Sequence, residues 1–162
     1  MSHSRPNFNR MLTLIDEVFA TRNDPEQIQV NQQQLKKLQK IHPATLSELA
    51  NEEGPVIWVL IIPTTKKIMN DFLEHKISEK DILSKTKAGD SYDCIYLCSA
   101  TTLAEFRGKG ETKNICIKAI RSICETNSIK NLFVWPFTQE GELLAKKIAE
   151  SCKFDLFFYS KI

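Results

Sequence analysis

Two uninterrupted apolar runs stand out along the chain, at residues 56–62 and 94–98. Both are short and rich in β-branched or aromatic residues, and neither alternates with polar positions. Each therefore predicts a strand covered on both faces, as in the centre of an α/β sheet. Residues 131–135 and 154–160 predict two further short strands, the first of which ends at Pro136.

Elsewhere apolar residues recur every three or four positions, which predicts amphipathic helices. These patterns cover residues 8–19, 35–41, 68–73, 116–124 and 144–152. Residues 44–50 are also expected to form a short helix. Ser78 with Asp81 has the spacing of a capping box for another helix, and Thr138 is the expected N-cap of the last one.

A pair of glycines, Gly108 and Gly110, lies between the second apolar run and the helix at 116–124. A residue without a Cβ lets the backbone turn several N–H groups toward one point. The following helix directs its unpaired N–H groups and the positive end of its dipole to the same place. This arrangement favours a phosphate site, and the alternative is an ordinary strand-to-helix turn.

The residues Arg107-Gly108-Lys109-Gly110-Glu111-Thr112 resemble the cofactor signature, Arg/Gln-x-x-Gly-x-Gly/Ala, of the GNAT superfamily of acyl-CoA-dependent N-acyltransferases. The resemblance implies binding of acetyl-CoA or another acyl-CoA, with the strand before the signature contacting the pantetheine arm. The implied cofactor-binding residues are Thr102, Leu103, Arg107, Gly108, Lys109, Gly110, Glu111, Thr112 and Lys113. Two positions depart from the family pattern, because Thr112 replaces the final small residue and Glu111 adds a negative charge.

The resemblance also implies a GNAT-like α/β (α+β) fold, a mixed and mostly antiparallel central sheet flanked by helices. Within a single domain we expect a helical N-terminal part at 1–53, a strand and helices at 54–91, and an acyl-CoA-binding core at 92–162. The helix-rich N-terminal half matches the family least. The strand at 131–135 is expected to diverge from its neighbour near Pro136, which opens a gap for the acyl-pantetheine.

The catalytic residues of the family are poorly matched. Ala145 and Phe154 fit its second motif, but the tyrosine that often protonates the leaving thiolate falls at Ala149, and a methyl group cannot be an acid. The position of a family glutamate base corresponds to Tyr96, a weak candidate because the pKa of tyrosine is ordinarily about 10. Core packing is the other interpretation of Tyr96.

These matches predict an acetyltransferase acting on a primary amine, whether a small molecule or a peptide. The alternatives are a catalytically degenerate protein that binds acyl-CoA and an interaction module whose glycine turn binds nothing. Whether the chain forms a homodimer stays open.

Length, net charge and cysteine content limit the other classes of protein to which the chain could belong. The chain has 162 residues, the size of one domain, and its formal charge of +2 predicts no strong general affinity for nucleic acid or membrane. Five cysteines without a Cys-x-x-Cys pair indicate reduced thiols in a cytoplasmic protein, and no zinc-ligand spacing occurs. No apolar segment approaches the roughly 20 residues of a membrane helix, and no signal peptide is expected.

Overall fold

A mixed five-stranded sheet organises the protein in a computed structural model that describes residues 7, 10, 11, 13, 14 and 32–160. The strands follow one another across the sheet in chain order: β1 (Leu46–Asn51), β2 (Gly54–Thr64), β3 (Cys94–Thr102), β4 (Asn131–Val134) and β5 (Asp155–Phe158). The first two pairings are antiparallel and the last two are parallel. The expected mixed α/β sheet is therefore present, and its two antiparallel pairings are longer than its two parallel ones.

Five α-helices have described bounds: α1 (Gln32–Ile41), α2 (Lys66–Leu73), α3 (Glu79–Lys85), α4 (Glu111–Cys124) and α5 (Gln139–Cys152). Each lies where the apolar periodicity or the capping residues predict a helix. Of the helix expected at 8–19, residues 10, 11, 13 and 14 are described; they are helical, and Met11 is fully buried. The rest of that prediction lies outside the described residues.

Hydrogen bonds confirm both predicted helix caps. The Ser78 N–H donates to Asp81 Oδ2 at 2.9 Å at the start of α3. Thr138 Oγ1 accepts from the Gly141 N–H at 2.9 Å at the start of α5. Each bond satisfies a polar group that the first turn of a helix otherwise leaves without a partner.

The predicted helix over residues 44–50 is wrong. A 3₁₀ turn at Pro43–Thr45 leads directly into β1, which pairs with β2 from Leu46 opposite Leu60 to Asn51 opposite Gly54. Leucine, glutamate and alanine favour a helix intrinsically, but the long strand β2 offers a row of backbone partners, and pairing with it overrides local propensity. Among its described residues, the N-terminal part therefore contains a strand where a helix was expected.

The helices cover both faces of the sheet. On one face, Phe72 of α2 packs against Tyr96 and Phe133, with ring centroids 5.5 and 6.0 Å away, and stacks on Tyr159 at 4.1 Å. Helices α4 and α5 contact each other on the opposite face, where Lys146 of α5 lies over the ring of Phe158. The main core lies between these layers, so the inner strands are buried on both sides.

Candidate functional site

The glycine turn lies where β3 passes into α4. After Thr102 the chain makes a 3₁₀ turn at Ala104–Phe106, and α4 begins directly after Gly110. Gly108 and Gly110 have φ angles of 76° and 77°, in the left-handed region that glycine adopts without strain. A Cβ added at either position would meet no atom within 4 Å, so the turn is open to solvent.

The backbone N–H groups of residues 108–113 donate to no acceptor in the described part of the chain. The first helical bond in α4 is donated by the Asn114 N–H to Gly110 O, at 3.1 Å. Gly110 is the N-cap and has no side chain with which to satisfy these donors. The turn therefore presents a run of exposed N–H groups at the positive end of a 14-residue helix.

Side chains fasten this turn to the end of β3. Arg107 Nε donates to Thr102 O at 3.0 Å, and the hydroxyls of Thr102 and Thr112 are hydrogen-bonded at 2.8 Å. The Thr112 hydroxyl is thus directed to the strand. Leu103 is buried in the core, and its N–H donates to Val56 O at 3.0 Å.

Two lysines add positive charge within the turn and in the helix that follows it. Lys109 Nζ is 5.5 Å from the centroid of the Phe106 ring. Lys113, in the first turn of α4, lines a surface groove of about 350 Å³ with Lys147, Glu150 and Ser151 of α5. Glu111 is half-buried at the start of α4, so its carboxyl adds the opposite charge to the same turn.

Strands β3 and β4 separate beside this turn. Their pairing covers only residues 94–97 of β3, opposite 131–134 of β4, and β3 continues to Thr102 without β4 alongside. Cys98 is an extra residue between the pairs that Leu97 and Ser99 make with β2, which is a β-bulge. The pairing thus ends at Val134, before Pro136, and the second half of β3 continues without β4 beside it; whether this opens the expected gap for an acyl-pantetheine stays a prediction.

Tyr96 lies in the core, one residue before the last β3–β4 pair. It is 0 % exposed, and its hydroxyl donates to Glu79, which is only 2 % exposed. Its ring lies 5.5 Å from that of Phe72 and 4.9 Å from that of Phe133. This environment favours the core-packing interpretation of Tyr96. The role of Tyr96 as a catalytic base stays a prediction. Glu79 was not singled out from the sequence, because a glutamate at the start of a helix is usually solvated.

Two other features bear on the chemistry of the region. Glu105, in the 3₁₀ turn before Arg107, forms a bidentate ion pair with Arg10, with N–O distances of 2.6 and 2.7 Å. This pair lowers the pKa of the Glu105 carboxyl to about 2.

Burial raises the pKa of the Cys94 and Cys116 thiols to about 12, so neither is a ready nucleophile. All five cysteines are free thiols, as expected.

The other predicted residues do not assemble a separate catalytic centre. Ala149 is buried in α5, and the described residues contain no group of three or more side chains suited to a metal ion. The helices with described residues include none long and apolar enough to cross a membrane.

No family model matches this chain, and comparisons with curated proteins and with solved structures give no match. Its structure alone therefore defines its class. It is a mixed α/β protein in which a glycine turn follows the half of β3 that β4 does not pair with.

Proposed function

We propose that this protein is an acyl-CoA-dependent N-acyltransferase that moves an acetyl group from acetyl-CoA to a primary amine, as its resemblance to the GNAT superfamily implies. One observation carries the proposal: the N–H groups of residues 108–113, which no described residue accepts from, follow a strand whose second half has no β4 partner. A pyrophosphate and an extended amide-bearing arm need these two features side by side.

The turn would bind the pyrophosphate through backbone N–H groups and the dipole of α4. Lys109 and Lys113 add positive charge, which offsets Glu111. The pantetheine arm carries amide groups, so it can pair with the edge of β3 at residues 99–102, which β4 does not accompany, as an added strand would. The Thr102 carbonyl already accepts from Arg107 but keeps a second lone pair.

Catalysis would then depend on positioning and on the backbone at the β-bulge. A backbone N–H near Cys98 can donate to the thioester oxygen as negative charge develops on it. The amine nitrogen bonds to the acyl carbon and the C–S bond breaks. Water takes the proton that the amine loses, and solvent protonates the thiolate, because Ala149 offers no acid.

The alternative is a catalytically degenerate protein of similar design that binds acyl-CoA. The burial of Tyr96 and the methyl group of Ala149 favour it, since neither residue supplies proton transfer at the gap. Binding of acetyl-CoA without release of CoA in the presence of any primary amine would select this alternative. An interaction module whose turn binds no ligand is the third function.

Thermal unfolding with and without acetyl-CoA tests the site. The variant Gly110→Trp places a large side chain in the open turn, and Gly89→Trp is its matched control. Gly89 also has a positive φ, of 90°, and open space at its Cβ, but it lies in the loop before β3. Both variants incur similar backbone strain, roughly 1–2 kcal/mol, so their unfolding midpoints without ligand should fall by similar amounts.

Acetyl-CoA at about a hundredfold excess over its dissociation constant should stabilise the native protein by roughly 2.7 kcal/mol. For a domain of this size each kcal/mol raises the midpoint by about 2–4 °C. We expect this rise in the native protein and in Gly89→Trp, and its loss in Gly110→Trp. Equal rises in all three proteins, or none in the native protein, would contradict the proposed site.

A further inference from the structure

The groove between α4 and α5 adjoins the glycine turn and carries two lysines from different helices. Lys113 of α4 and Lys147 of α5 both line it, together with Glu150 and Ser151. Lys113 lies three residues after Gly110, about 4.5 Å along the axis of α4. A group bound in the groove is therefore next to the N–H groups that the proposed function assigns to a pyrophosphate.

The two lysines of the groove have no carboxylate partner among the described residues. Lys146, the neighbour of Lys147 on α5, forms an ion pair with Glu142 at 3.0 Å. Neither Lys113 nor Lys147 forms an ion pair with a described residue, although Glu150 lines the same groove. Two ammonium groups that line one groove repel each other, and an anion bound between them offsets this repulsion.

A phosphate monoester has the chemistry that this groove can recognise. It carries about −1.5 to −2 charges at neutral pH and has three terminal oxygens that accept hydrogen bonds. Lysine binds phosphate as a point charge with three N–H donors, and the Ser151 hydroxyl can donate a further hydrogen bond. Glu150 adds a negative charge that the two lysines outweigh, and its carboxylate can accept from a ligand hydroxyl beside the phosphate.

Coenzyme A carries such a phosphate close to its pyrophosphate. One ribose bears the pyrophosphate at its 5′ position, a phosphate monoester at its 3′ position and a hydroxyl at its 2′ position. A pyrophosphate at the glycine turn and a monoester in the adjoining groove therefore require only that this ribose lies between α4 and α5. The pantetheine arm, which extends from the other end of the pyrophosphate, remains free to follow β3.

We propose that Lys113 and Lys147 bind the 3′-phosphate of coenzyme A, so that the groove selects acyl-CoA over adenosine nucleotides without this phosphate. This inference rests on the proposed function. Lys113 contacts the phosphate from α4 and Lys147 contacts it from α5. Both lysines determine which cofactor binds, and neither takes part in the transfer of the acyl group.

Acetyl-CoA and 3′-dephospho-acetyl-CoA are the matched probes, because they differ in this phosphate alone. Calorimetric titrations would compare their affinities for the native protein, Lys147→Gln and Lys118→Gln. Glutamine keeps a polar side chain and a similar helix propensity but removes the charge. Lys118 is the control, because it is exposed on α4, forms no ion pair with a described residue and does not line the groove.

We expect the native protein and Lys118→Gln to bind acetyl-CoA about fivefold to twentyfold more tightly than the dephospho compound, since an exposed ion pair contributes up to roughly fivefold. Lys147→Gln should reduce this preference by about threefold to fivefold and leave the affinity for the dephospho compound unchanged. Lys113→Gln together with Lys147→Gln should remove the preference.

The same titrations separate this inference from the proposed function. Equal affinities of the native protein for both compounds would overturn the role of the groove and leave an acyl-CoA site at the turn. A preference that Lys147→Gln does not reduce, or that Lys118→Gln reduces equally, would also overturn the inference. No binding of either compound would contradict the proposed acyl-CoA site and the inference together.

Discussion

At the scale of single residues, burial decides how Tyr96 is interpreted. Its position on β3 corresponds to a catalytic base in the resembled family, yet its side chain is fully buried and bonded to the buried carboxyl of Glu79. A buried polar pair of this kind is costly to break, because the remaining partner keeps its desolvation cost. The main effect of changing Tyr96 should therefore be on stability.

The variant Tyr96→Phe tests this expectation, with Tyr92→Phe as its control. Tyr92 is also buried, but its hydroxyl donates to the backbone carbonyl of Lys87. We expect Tyr96→Phe to lower the free energy of unfolding by about 1–3 kcal/mol, and Tyr92→Phe by about 0.5–1.5 kcal/mol, as measured by denaturant unfolding. Acetyl-CoA should still stabilise both variants. Native stability in Tyr96→Phe together with lost turnover would instead support a catalytic role.

At the scale of elements, a hydroxyl pair joins the two ends of the strand–turn–helix unit at the site, beside the bond that Arg107 donates to Thr102 O. Thr102 at the end of β3 and Thr112 in the first turn of α4 are bonded at 2.8 Å. This bond connects the end of β3 to the start of α4 across the turn that contains both glycines. It also explains how a threonine is accommodated where the family signature has a smaller residue.

We predict that Thr112→Val lowers the free energy of unfolding by about 0.5–1.5 kcal/mol, because it keeps the shape of the side chain and removes the hydrogen bond. Thr112→Ser retains a hydroxyl and should preserve more of this contribution. The acetyl-CoA-induced rise in the unfolding midpoint should be the same in both variants as in the native protein. A rise that disappears in Thr112→Val alone would mean that this hydroxyl contacts the ligand.

At the scale of the whole molecule, the Arg10–Glu105 ion pair connects residues 95 positions apart. It fastens a helical residue near the N-terminus to the 3₁₀ turn that precedes Arg107. The guanidinium of Arg10 holds the pKa of Glu105 at about 2, below the ordinary value of 4.5. Because the folded-state pKa is lowered, the pair stabilises the protein fully above pH 4.5 and loses this contribution as the pH falls toward 2.

Unfolding midpoints of the native protein and Glu105→Gln, measured from neutral pH to pH 2, test this linkage. The native midpoint should be the higher one at neutral pH, and the difference should shrink below pH 4.5 until the two coincide near pH 2. Since both side chains are exposed, added salt should also shrink the difference at neutral pH. A difference that persists at pH 2 would assign the effect to packing.

The parts of the fold that could be predicted are those that depend on residues close together in the sequence. The central strands β2 and β3, the five helices with described bounds and the glycine turn are encoded by nearby residues through apolar runs, helical periodicity, caps and glycines. Strand β1 was missed because its residues favour a helix until β2 supplies partners. The buried Glu79, 17 residues before Tyr96, carried no local signal either.

The sequence by itself therefore determined the kind and approximate position of most elements, and the position of the glycine turn, because these depend on neighbours a few residues apart. Only the tertiary structure decided where the pairing of β3 with β4 ends, that Tyr96 is enclosed with Glu79, and that Glu48, Trp58 and Thr101 lie opposite one another on β1, β2 and β3. Each of these arrangements joins residues from different elements, and its energy depends on pairing and burial that exist only once the sheet has formed.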